Sequence, residues 1–324
     1  MKTLLCVVLA CAAGAAAAQS GKPAAGEFPQ RVVRWVVPFA PGASNDIVAR
    51  LVGQKLADRW GQQVVIDNRG GAGGIIGGEI VARATPDGYT LLMANPSSNA
   101  INFAMRAKSP YAQSDFDPVV LLGWSPIMIV TTASLPANNM KELVALAKAK
   151  PGQLSAGSSG PGGSSHLALE LFKLRTGTDI VHVPYKGAAP VFTDMLGGQI
   201  QLMFTTSASA QSLIAAGKLK TLGVAGSKRL AIFPDVPSTT EQGLSRFDVP
   251  IWFGIAVPAR TPQPIVTKIN QDANAVLKLP EVRERFAQLG LEPQGGTPVQ
   301  FAAFIKEDIA RWTEVVKTGN IKSE

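Results

Sequence analysis

The stretch that decides the fold runs from Val32 to Trp60 and reads VVRWVVPFAPGASNDIVARLVGQKLADRW. Its first part, Val32–Phe39, is apolar and rich in β-branched residues, which is typical of a buried strand. Pro41-Gly42 breaks the strand, and Ser44-Asn45-Asp46 supplies residue types that cap the N-terminus of a helix. Apolar residues then recur at helical spacing. The stretch therefore predicts a strand, a short polar loop and a helix, in that order.

The same order of signals recurs along the chain, which indicates a parallel, doubly wound α/β sheet. Two longer apolar runs, Val119–Thr132 and Val249–Val257, fit strands that cross between two halves of the chain. The pattern therefore allows two α/β lobes joined by a pair of strands, as one topology among several. The other predicted strands are Val32–Phe39, Gln63–Asp67, Tyr89–Ala94, Ile180–Val183, Gln201–Thr205 and Leu219–Val224. The predicted helices are Ile47–Trp60, Ile75–Ala84, Met140–Ala149, His166–Arg175, Ala188–Leu196, Ala208–Ala216, Pro264–Lys278, Pro280–Leu289 and Pro298–Thr318.

The composition is that of a globular protein. The 324 residues are 46% hydrophobic and 17% charged, which excludes a disordered chain and a coiled coil. The length is enough for two domains. The formal net charge is +8, from 31 Lys and Arg against 23 Asp and Glu. Because the basic residues are scattered among acidic ones, we expect no nucleic-acid partner.

The first residues have the pattern of an export signal. Lys2 precedes an uncharged apolar run, Leu4–Ala18, that is too short to cross a bilayer and ends in small residues suited to cleavage. We expect residues 1–18 to be removed and the mature protein to be periplasmic. The two cysteines, Cys6 and Cys11, both lie in this segment, so no disulfide is expected in the mature protein. In the alternative interpretation, Cys11 becomes a lipidated first residue.

Several enzyme motifs fail by a single residue. The glycine run Gly70–Gly77 resembles a dinucleotide-binding loop, but Ile76 occupies the place of the third glycine. Gly157-Ser158-Ser159 resembles the start of a nucleophile elbow, but Pro161 occupies the place of its last glycine. The two histidines have no acidic or thiol companions at metal-ligand spacing. We therefore predict no catalytic residue, metal or cofactor, although acid–base chemistry by a pair of carboxylates stays open.

Glycine- and hydroxyl-rich loops follow several predicted strands and precede helices. At such positions the free N–H groups and the dipole of a helix N-terminus attract anions without any cationic side chain. Ser and Thr hydroxyls add donors that rotate toward a carboxylate. A helix cap and a turn explain any one loop, but four such loops in both halves favour binding of a small anion. The loops are Ala40–Ser44, Asn95–Asn99, Gly157–Ser165 and Thr205–Ser207.

Several segments in order resemble the Bug family of periplasmic solute receptors, the binding components of tripartite tricarboxylate transporters. They are PFAPGASNDIVARLVGQKLADRWGQQVVIDNRGGAGGIIGGE, PDGYTLLM, GSSGPGGSSHLALELF, VHVPYKGAAPVFTDMLGGQI and FPDVPSTTEQGL. The resemblance covers Phe28 to Lys322. It implies a two-lobed Venus flytrap, type II-like, with two doubly wound sheets joined by two hinge strands. Lobe 1 would then be residues 29–127 plus 254–324, and lobe 2 residues 128–253.

The resemblance also implies which residues bind the ligand. In the family an organic acid sits between the lobes, held by backbone amides, hydroxyls and bound waters. Carried over position by position, the first lobe contributes Pro41, Gly42, Ala43, Ser44, Asn95, Ser97 and Ser98. The second lobe contributes Ser159, Gly160, Gly162, Gly163, Ser164, Ser165, His166, Tyr185 and Thr205.

Three positions depart from the family pattern. Ala43 replaces the usual second glycine after Pro-Gly, and Gly70 replaces a common proline. Thr205 stands where many relatives carry an aspartate. Because an aspartate there would pair with an ammonium group, its absence favours a ligand without a cation, such as a dicarboxylate or an aromatic acid.

The function that this resemblance implies is a receptor and not an enzyme. A monomer would deliver a di- or tricarboxylate, or an aromatic carboxylate, to the membrane subunits of a tripartite tricarboxylate transporter. Two alternatives stay open. A ligand-sensing receptor for a signalling partner would have the same fold and loops, and an exported hydrolase would need an acid–base pair or nucleophile that the motifs do not identify.

Overall fold

The computed structural model describes residues 28–106, 108–319 and 321, so the expected signal peptide and Cys11 lie outside the described residues. Strands and helices are labelled in chain order within these residues. The strands are β1 Val33–Val37, β2 Val64–Asn68, β3 Thr90–Ala94, β4 Phe116–Thr132, β5 Ser155–Ser158, β6 Val181–Pro184, β7 Leu202–Thr206, β8 Leu219–Val224, β9 Pro250–Pro258 and β10 Glu292–Pro293. The helices are α1 Ser44–Trp60, α2 Ile75–Ala82, α3 Asn102–Met105, α4 Met140–Ala149, α5 Ser164–Thr176, α6 Ala188–Leu196, α7 Ser207–Ala215, α8 Gln263–Val276, α9 Pro280–Gln288 and α10 Pro298–Gly319.

The strands form one curled mixed sheet whose two halves share β4. In the first half the order is β2-β1-β3-β9-β4; β1 is parallel to β2 and β3, and β9 is antiparallel to β3 and β4. In the second half β4 is antiparallel to β7 and β8, and β5 is parallel to β7 and β6. This is the expected α/β fold with two lobes. The carboxyl ends of the parallel strands carry the loops that the sequence singled out.

The strand β4 links the two lobes. Its first part, from Phe116 to Pro126, pairs with β9, and its second part, from Ile127 to Thr132, pairs with β7 and β8. The strand β9 begins at the turning point, with Pro250 opposite Pro126, and its described pairings are with β3 and β4 alone. The two crossing strands expected from the sequence therefore lie side by side at the junction, and β4 is the one that belongs to both halves.

Apolar burial and two buried carboxylates hold the helices on the first half of the sheet. Asp272 of α8 is 2% exposed and accepts hydrogen bonds from Arg59 Nε at 2.6 Å and Trp60 Nε1 at 2.7 Å, both at the end of α1. Asp308 of α10 accepts from Nε1 of the fully buried Trp252 on β9 at 2.7 Å. Buried carboxylates are tolerated when they are paired in this way. Each therefore fixes one helix against the rest of its lobe.

Three predicted loops are partly or wholly wrong. The expected loop Thr205–Ser207 is absent, because β7 runs to Thr206 and α7 begins at Ser207. Residues Ser155–Ser158 form β5, although a loop was predicted to begin at Gly157. Gly157 is in the strand because it pairs with β6 and β7, and the strand needs a glycine there because a Cβ would lie 2.3 Å from Val191 Cγ1 on α6. After β3, Ser97–Ile101 forms a π-helical turn that leads into α3, where a loop was predicted to continue to residue 99.

Candidate functional site

A pocket lies where the two lobes face each other at the ends of their strands. Its empty volume is about 450 Å³, including the solvent at its mouth. No charged side chain of the described residues lines it. The lining residues from the first lobe and the junction are Phe39, Ala43, Ser44, Asn45, Asn95, Ser97, Ile127 and Ile251. Those from the second lobe are Ser159, Ser164, Ser165, Ala188, Met203, Phe204, Thr205, Thr206 and Ser209.

Three helices begin at this pocket. The helices α1, α5 and α7 start at Ser44, Ser164 and Ser207, and residues of each first turn or its N-cap line the pocket. In none of the three does the side chain of the N-cap residue cap the helix, although Ser44 N–H and Ser164 N–H each donate to a serine hydroxyl of the other lobe. Each N-terminus carries partial positive charge, roughly half an elementary charge, from its aligned peptide dipoles. The pocket is therefore suited to an anion even though no cationic side chain lines it.

Asp46 fixes the loop that precedes α1. Its carboxylate is buried, and Oδ2 accepts from Gly42 N–H and from Arg50 Nε, each at 3.0 Å. Burial acts to raise the pKa of Asp46, but the hydrogen bonds from Arg50 and Gly42 outweigh burial, so the pKa lies below its ordinary value. Asp46 therefore stays ionised and holds the loop in the shape that places Ala43 and Ser44 on the pocket wall.

Asn95 organises the turn after β3. Its Oδ1 accepts from the N–H groups of Ser97 and Ser98 at 3.0 and 3.3 Å, and its Nδ2 donates to Ser98 Oγ at 3.0 Å. Asn95 and Ser97 line the pocket, whereas Ser98 is fully buried and does not. The carboxamide of Asn95 is thus used within its own turn, and the turn presents the Ser97 hydroxyl to the cleft.

Direct hydrogen bonds join the two lobes across the cleft. Ser97 Oγ and Ser164 Oγ are 2.9 Å apart, and Ser164 N–H donates to Ser97 Oγ at 3.0 Å. A second link runs from Ser44 N–H to Ser209 Oγ at 3.0 Å. These contacts describe a closed cleft, in which serines from the two lobes meet at the pocket.

The loop between β5 and α5 folds back on the first turn of α5. Ser159 N–H donates to Ser165 Oγ at 2.9 Å, and the two hydroxyls are also 2.9 Å apart. Gly160 and Gly162 have φ angles of +129° and +72°, which residues with a Cβ rarely adopt. These glycines shape the loop without lining the pocket, and they leave Ser159 and Ser165 on its wall.

His166 supports this loop from behind. Its Nδ1 accepts from Gly162 N–H at 3.1 Å, and its ring stacks on that of His182 with centroids 4.0 Å apart. His182 Nε2 lies 2.6 Å from Ser158 Oγ at the end of β5. The stacked histidines therefore connect α5, β6 and β5 beneath the loop. His166, which was expected to contact the ligand, lies behind the residues that line the pocket.

We expect the protein to lose stability as the pH falls below about 6.5, because the fold keeps His166 neutral. Burial, followed by the charges of His182 and Lys173, lowers the pKa of His166 from 6.5 to about 3. Glu170 Oε1, 3.9 Å from His166 Nε2, does not reverse that shift. Between these pH values the unfolded chain binds a proton that the folded chain does not, at a cost of up to about 1.4 kcal/mol per pH unit. Chemical denaturation at pH 7 and pH 5 measures the loss.

The matched variant for this prediction is His166→Gln, which keeps an acceptor for Gly162 N–H but does not titrate. Between pH 7 and pH 5 the free energy of unfolding of this variant should fall by roughly 2 kcal/mol less than that of the wild type. Parallel pH profiles for the two proteins would show that His166 does not carry the effect.

Tyr185 and Thr205, both expected at the site, have different positions. Thr205 on β7 lines the pocket and is 7% exposed. Tyr185 lies outside the lining, and its hydroxyl donates to Asp194 Oδ2 on α6 at 2.5 Å. Burial and then the Asp194 carboxylate raise the pKa of Tyr185 to about 12. Tyr185 therefore ties β6 to α6.

The structure brings part of the expected set together at the pocket. The expected residues that line it are Ala43, Ser44, Asn95, Ser97, Ser159, Ser164, Ser165 and Thr205. The expected residues that lie behind or beside it are Pro41, Gly42, Ser98, Gly160, Gly162, Gly163, His166 and Tyr185. Sequence reasoning did not name three polar residues as ligand contacts, although Thr206 lies in the predicted loop Thr205–Ser207. They are Asn45, the second residue of α1, Thr206, the last residue of β7, and Ser209, in the first turn of α7. Sequence reasoning also missed the apolar residues Phe39, Ile127, Ala188, Met203, Phe204 and Ile251.

The described residues contain neither a metal-binding cluster nor a membrane-spanning helix. No group of three or more His, Cys, Asp or Glu side chains in these ranges is placed to hold a metal ion. The two histidines, which are common metal ligands, are used in the stack beneath the β5–α5 loop. Among the described helices, none combines the length and the apolar character needed to cross a bilayer.

Comparison with known protein families places this geometry among solute receptors. Residues 48–321 match the model of the tripartite tricarboxylate transporter family receptor, TctC. The protein BugT of Bordetella pertussis is 36% identical over 297 residues, which cover 91% of this chain and 91% of BugT.

Solved structures with the same fold include ligand complexes. The periplasmic binding protein BugD superposes with a TM-score of 0.88 at 34% identity and covers 92% of this chain and 100% of its own. The Rhodopseudomonas palustris protein MatC, solved with bound malate, gives a TM-score of 0.85 at 33% identity, with 89% and 100% covered. R. palustris Rpa4515, solved with adipate, gives 0.88 at 35% identity, with 91% and 99% covered.

Proposed function

This chain belongs to the tripartite tricarboxylate transporter receptor family, and we propose that it captures a small organic acid in the pocket between its lobes. The observation that carries the proposal is the pocket itself. Three helix N-termini and a ring of hydroxyls surround a space that no charged side chain of the described residues lines. Such an arrangement stabilises a carboxylate through backbone and hydroxyl donors.

The relatives support a carboxylate as the ligand class. MatC was solved with malate and Rpa4515 with adipate, which are both dicarboxylates. In this chain part of the pocket wall is apolar, formed by Phe39, Met203, Phe204 and Ile251. Such a wall can pack against the carbon chain of a dicarboxylate or the ring of an aromatic acid. A dicarboxylate or an aromatic acid therefore fits both the polar and the apolar parts of the pocket.

The proposed mechanism is closure of the two lobes on the ligand. Ser44 and Ser97 belong to the first lobe, and Ser159, Ser164 and Thr205 belong to the second. A ligand that bonds to both sets gains its second set of hydrogen bonds only when the cleft closes, so binding shifts the population toward the closed form. The β4–β9 junction would act as the hinge. Lobe boundaries at residues 127–128 and 253–254 are part of this proposal.

The proposal includes a location and a partner. A monomeric receptor with residues 1–18 removed would work in the periplasm and deliver its ligand to the membrane subunits of a tripartite tricarboxylate transporter. Family membership supports this role. Closure would alter the surface around the cleft, which gives the membrane subunits a way to distinguish the loaded receptor from the empty one.

A thermal-shift panel tests the proposal. Succinate, malate, adipate, citrate and benzoate are added to the mature protein, each beside its uncharged amide at the same concentration. A true ligand at 100 times its dissociation constant should add about 2.7 kcal/mol of stability, whereas its amide should add little. If the melting temperature with each acid equals that with its amide, the carboxylate proposal is wrong.

A further inference from the structure

Asn45 differs from the other polar residues of the pocket. It is the second residue of α1, lines the pocket and is 7% exposed. Its Oδ1 is buried and has no hydrogen-bond partner. Among pocket-lining side chains in the described residues, it is the one with a buried polar atom in that state. The other pocket asparagine, Asn95, uses both ends of its carboxamide within its own turn.

An unpaired buried acceptor at this place calls for a donor from the ligand. Burial of a carbonyl oxygen without a hydrogen bond is unfavourable, so buried polar atoms are usually paired. A carboxylate offers acceptors alone, so it satisfies the N–H and O–H groups of the pocket but leaves Asn45 Oδ1 unpaired. A ligand whose only polar groups are carboxylates can therefore accept from the helix N-termini but has no donor for Asn45 Oδ1.

The donor that fits is a hydroxyl. An ammonium group also donates, but it would face the positive ends of α1, α5 and α7, and no acidic side chain of the described residues lines the pocket to balance it. A hydroxyl carries no charge. In a carboxamide the NH2 group donates and the carbonyl oxygen beside it accepts. The NH2 group can therefore donate to a carboxylate oxygen while the carbonyl oxygen accepts from a hydroxyl on the neighbouring carbon.

From this geometry we infer that Asn45 is a specificity-determining residue that selects hydroxy-carboxylates over the corresponding plain acids. The inference rests on the proposed function, because it assumes that a carboxylate occupies this pocket. Asn45 Nδ2 donates to a carboxylate oxygen, and Asn45 Oδ1 accepts from the hydroxyl on the adjacent carbon.

Matched pairs of acids test the inference by titration calorimetry. The pairs are malate with succinate, 2-hydroxyglutarate with glutarate and lactate with propionate, so the members of each pair differ by one hydroxyl. In the wild type, the hydroxy-acid of the best-binding pair should bind at least tenfold tighter. Asn45→Leu should reduce that ratio to below about threefold, with the affinity for the plain acid changed less than that for the hydroxy-acid. Gln54→Leu, at an exposed position on the same helix, is the control and should leave the ratio unchanged.

The possible outcomes distinguish failure of this inference from failure of the proposed function. If the acids bind but the wild type shows no hydroxyl preference, or prefers aspartate to malate, the inference is overturned and the carboxylate receptor stands. A preference that survives in Asn45→Leu, or in Asn45→Ala should the leucine variant not fold, overturns it as well. Failure of all the acids tested here and in the thermal-shift panel to bind the wild type overturns the proposed function itself.

Discussion

Gly73→Asn is expected to weaken carboxylate binding at least tenfold while leaving the protein folded. Gly73 lies between β2 and α2 in the first lobe, and a Cβ added there would lie 2.4 Å from the carbonyl oxygen of Pro161 in the second lobe. Contacts that short do not persist, so the lobes must move apart. Even a small opening lengthens the Ser97–Ser164 and Ser44–Ser209 hydrogen bonds, each worth about 1 kcal/mol. The second lobe's contacts with the ligand weaken with them.

Asparagine is the suitable replacement because of the backbone at this position. Gly73 has φ 65° and ψ 24°, in the left-handed region that asparagine tolerates better than most residues with a Cβ. The matched control is Gly61→Asn at the end of α1. Gly61 has φ 63° and ψ 17°, but a Cβ there meets no atom within 4 Å. Both variants therefore change the backbone alike, and only one carries a side chain between the lobes.

Titration calorimetry gives the affinities, and small-angle scattering with and without ligand reports closure. Gly61→Asn should bind the acid with wild-type affinity, and ligand should reduce its radius of gyration as much as it does in the wild type. Gly73→Asn should bind the acid weakly, and even saturating ligand should reduce its radius of gyration less. Wild-type affinity in Gly73→Asn would mean that closure as described is not part of binding.

The spacing of apolar residues was sufficient to predict most of the strands and helices, because this spacing indicates which face of an element is buried. The helices Met140–Ala149 and Ala188–Leu196 and the strand Leu219–Val224 have the bounds that the sequence predicted. The failures are at glycine and serine. Gly157 is in β5 because β6 and β7 pair with it, and it is a glycine because Val191 packs closely against it; neither contact is encoded in the neighbouring residues.

The candidate site was predictable where its signal was local. A strand end followed by a helix start is visible in the sequence, and four serines at such places line the pocket: Ser44, Ser97, Ser164 and Ser165. The expected residue His166 lies at such a helix start too, but it faces His182 behind the loop, because the orientation of a side chain depends on packing.

The apolar wall of the pocket had no local signal. Phe204 and Met203 are part of an ordinary apolar strand, β7, and Ile127 and Ile251 come from the strands at the junction. Their place in the pocket depends on how the two lobes face each other. Sequence periodicity predicts that such residues are buried without indicating whether they contact the core or a ligand.

Ser164→Asp is expected to have the largest effect on binding, a loss of about a hundredfold or more. Ser164 is the first residue of α5, is 6% exposed and lines the pocket. A carboxylate there is compatible with folding, because acidic residues favour a helix N-terminus. It would also occupy the positive potential that the ligand needs and repel the ligand directly. Like charges about 4 Å apart interact by roughly 4 kcal/mol at an effective dielectric constant of 20.

Ser164→Asn separates charge from shape, since its side chain has nearly the size of aspartate and no charge. Both variants lose the Ser164 hydroxyl contact with Ser97 Oγ to the same extent. Any further loss in Ser164→Asp is therefore electrostatic. Raising the salt concentration should recover little of it, because charges in a closed cleft are poorly screened.

The central claim is that this pocket holds the carboxylate of the ligand. Its most direct test is the calorimetric affinity of Ser164→Asp and Ser164→Asn for the acid that gives the largest thermal shift. The aspartate variant should bind this acid at least tenfold more weakly than the asparagine variant. Equal affinities in the two variants would contradict the central claim and would place the carboxylate elsewhere, for example in the groove behind the junction that Trp124, Lys228 and Arg229 line.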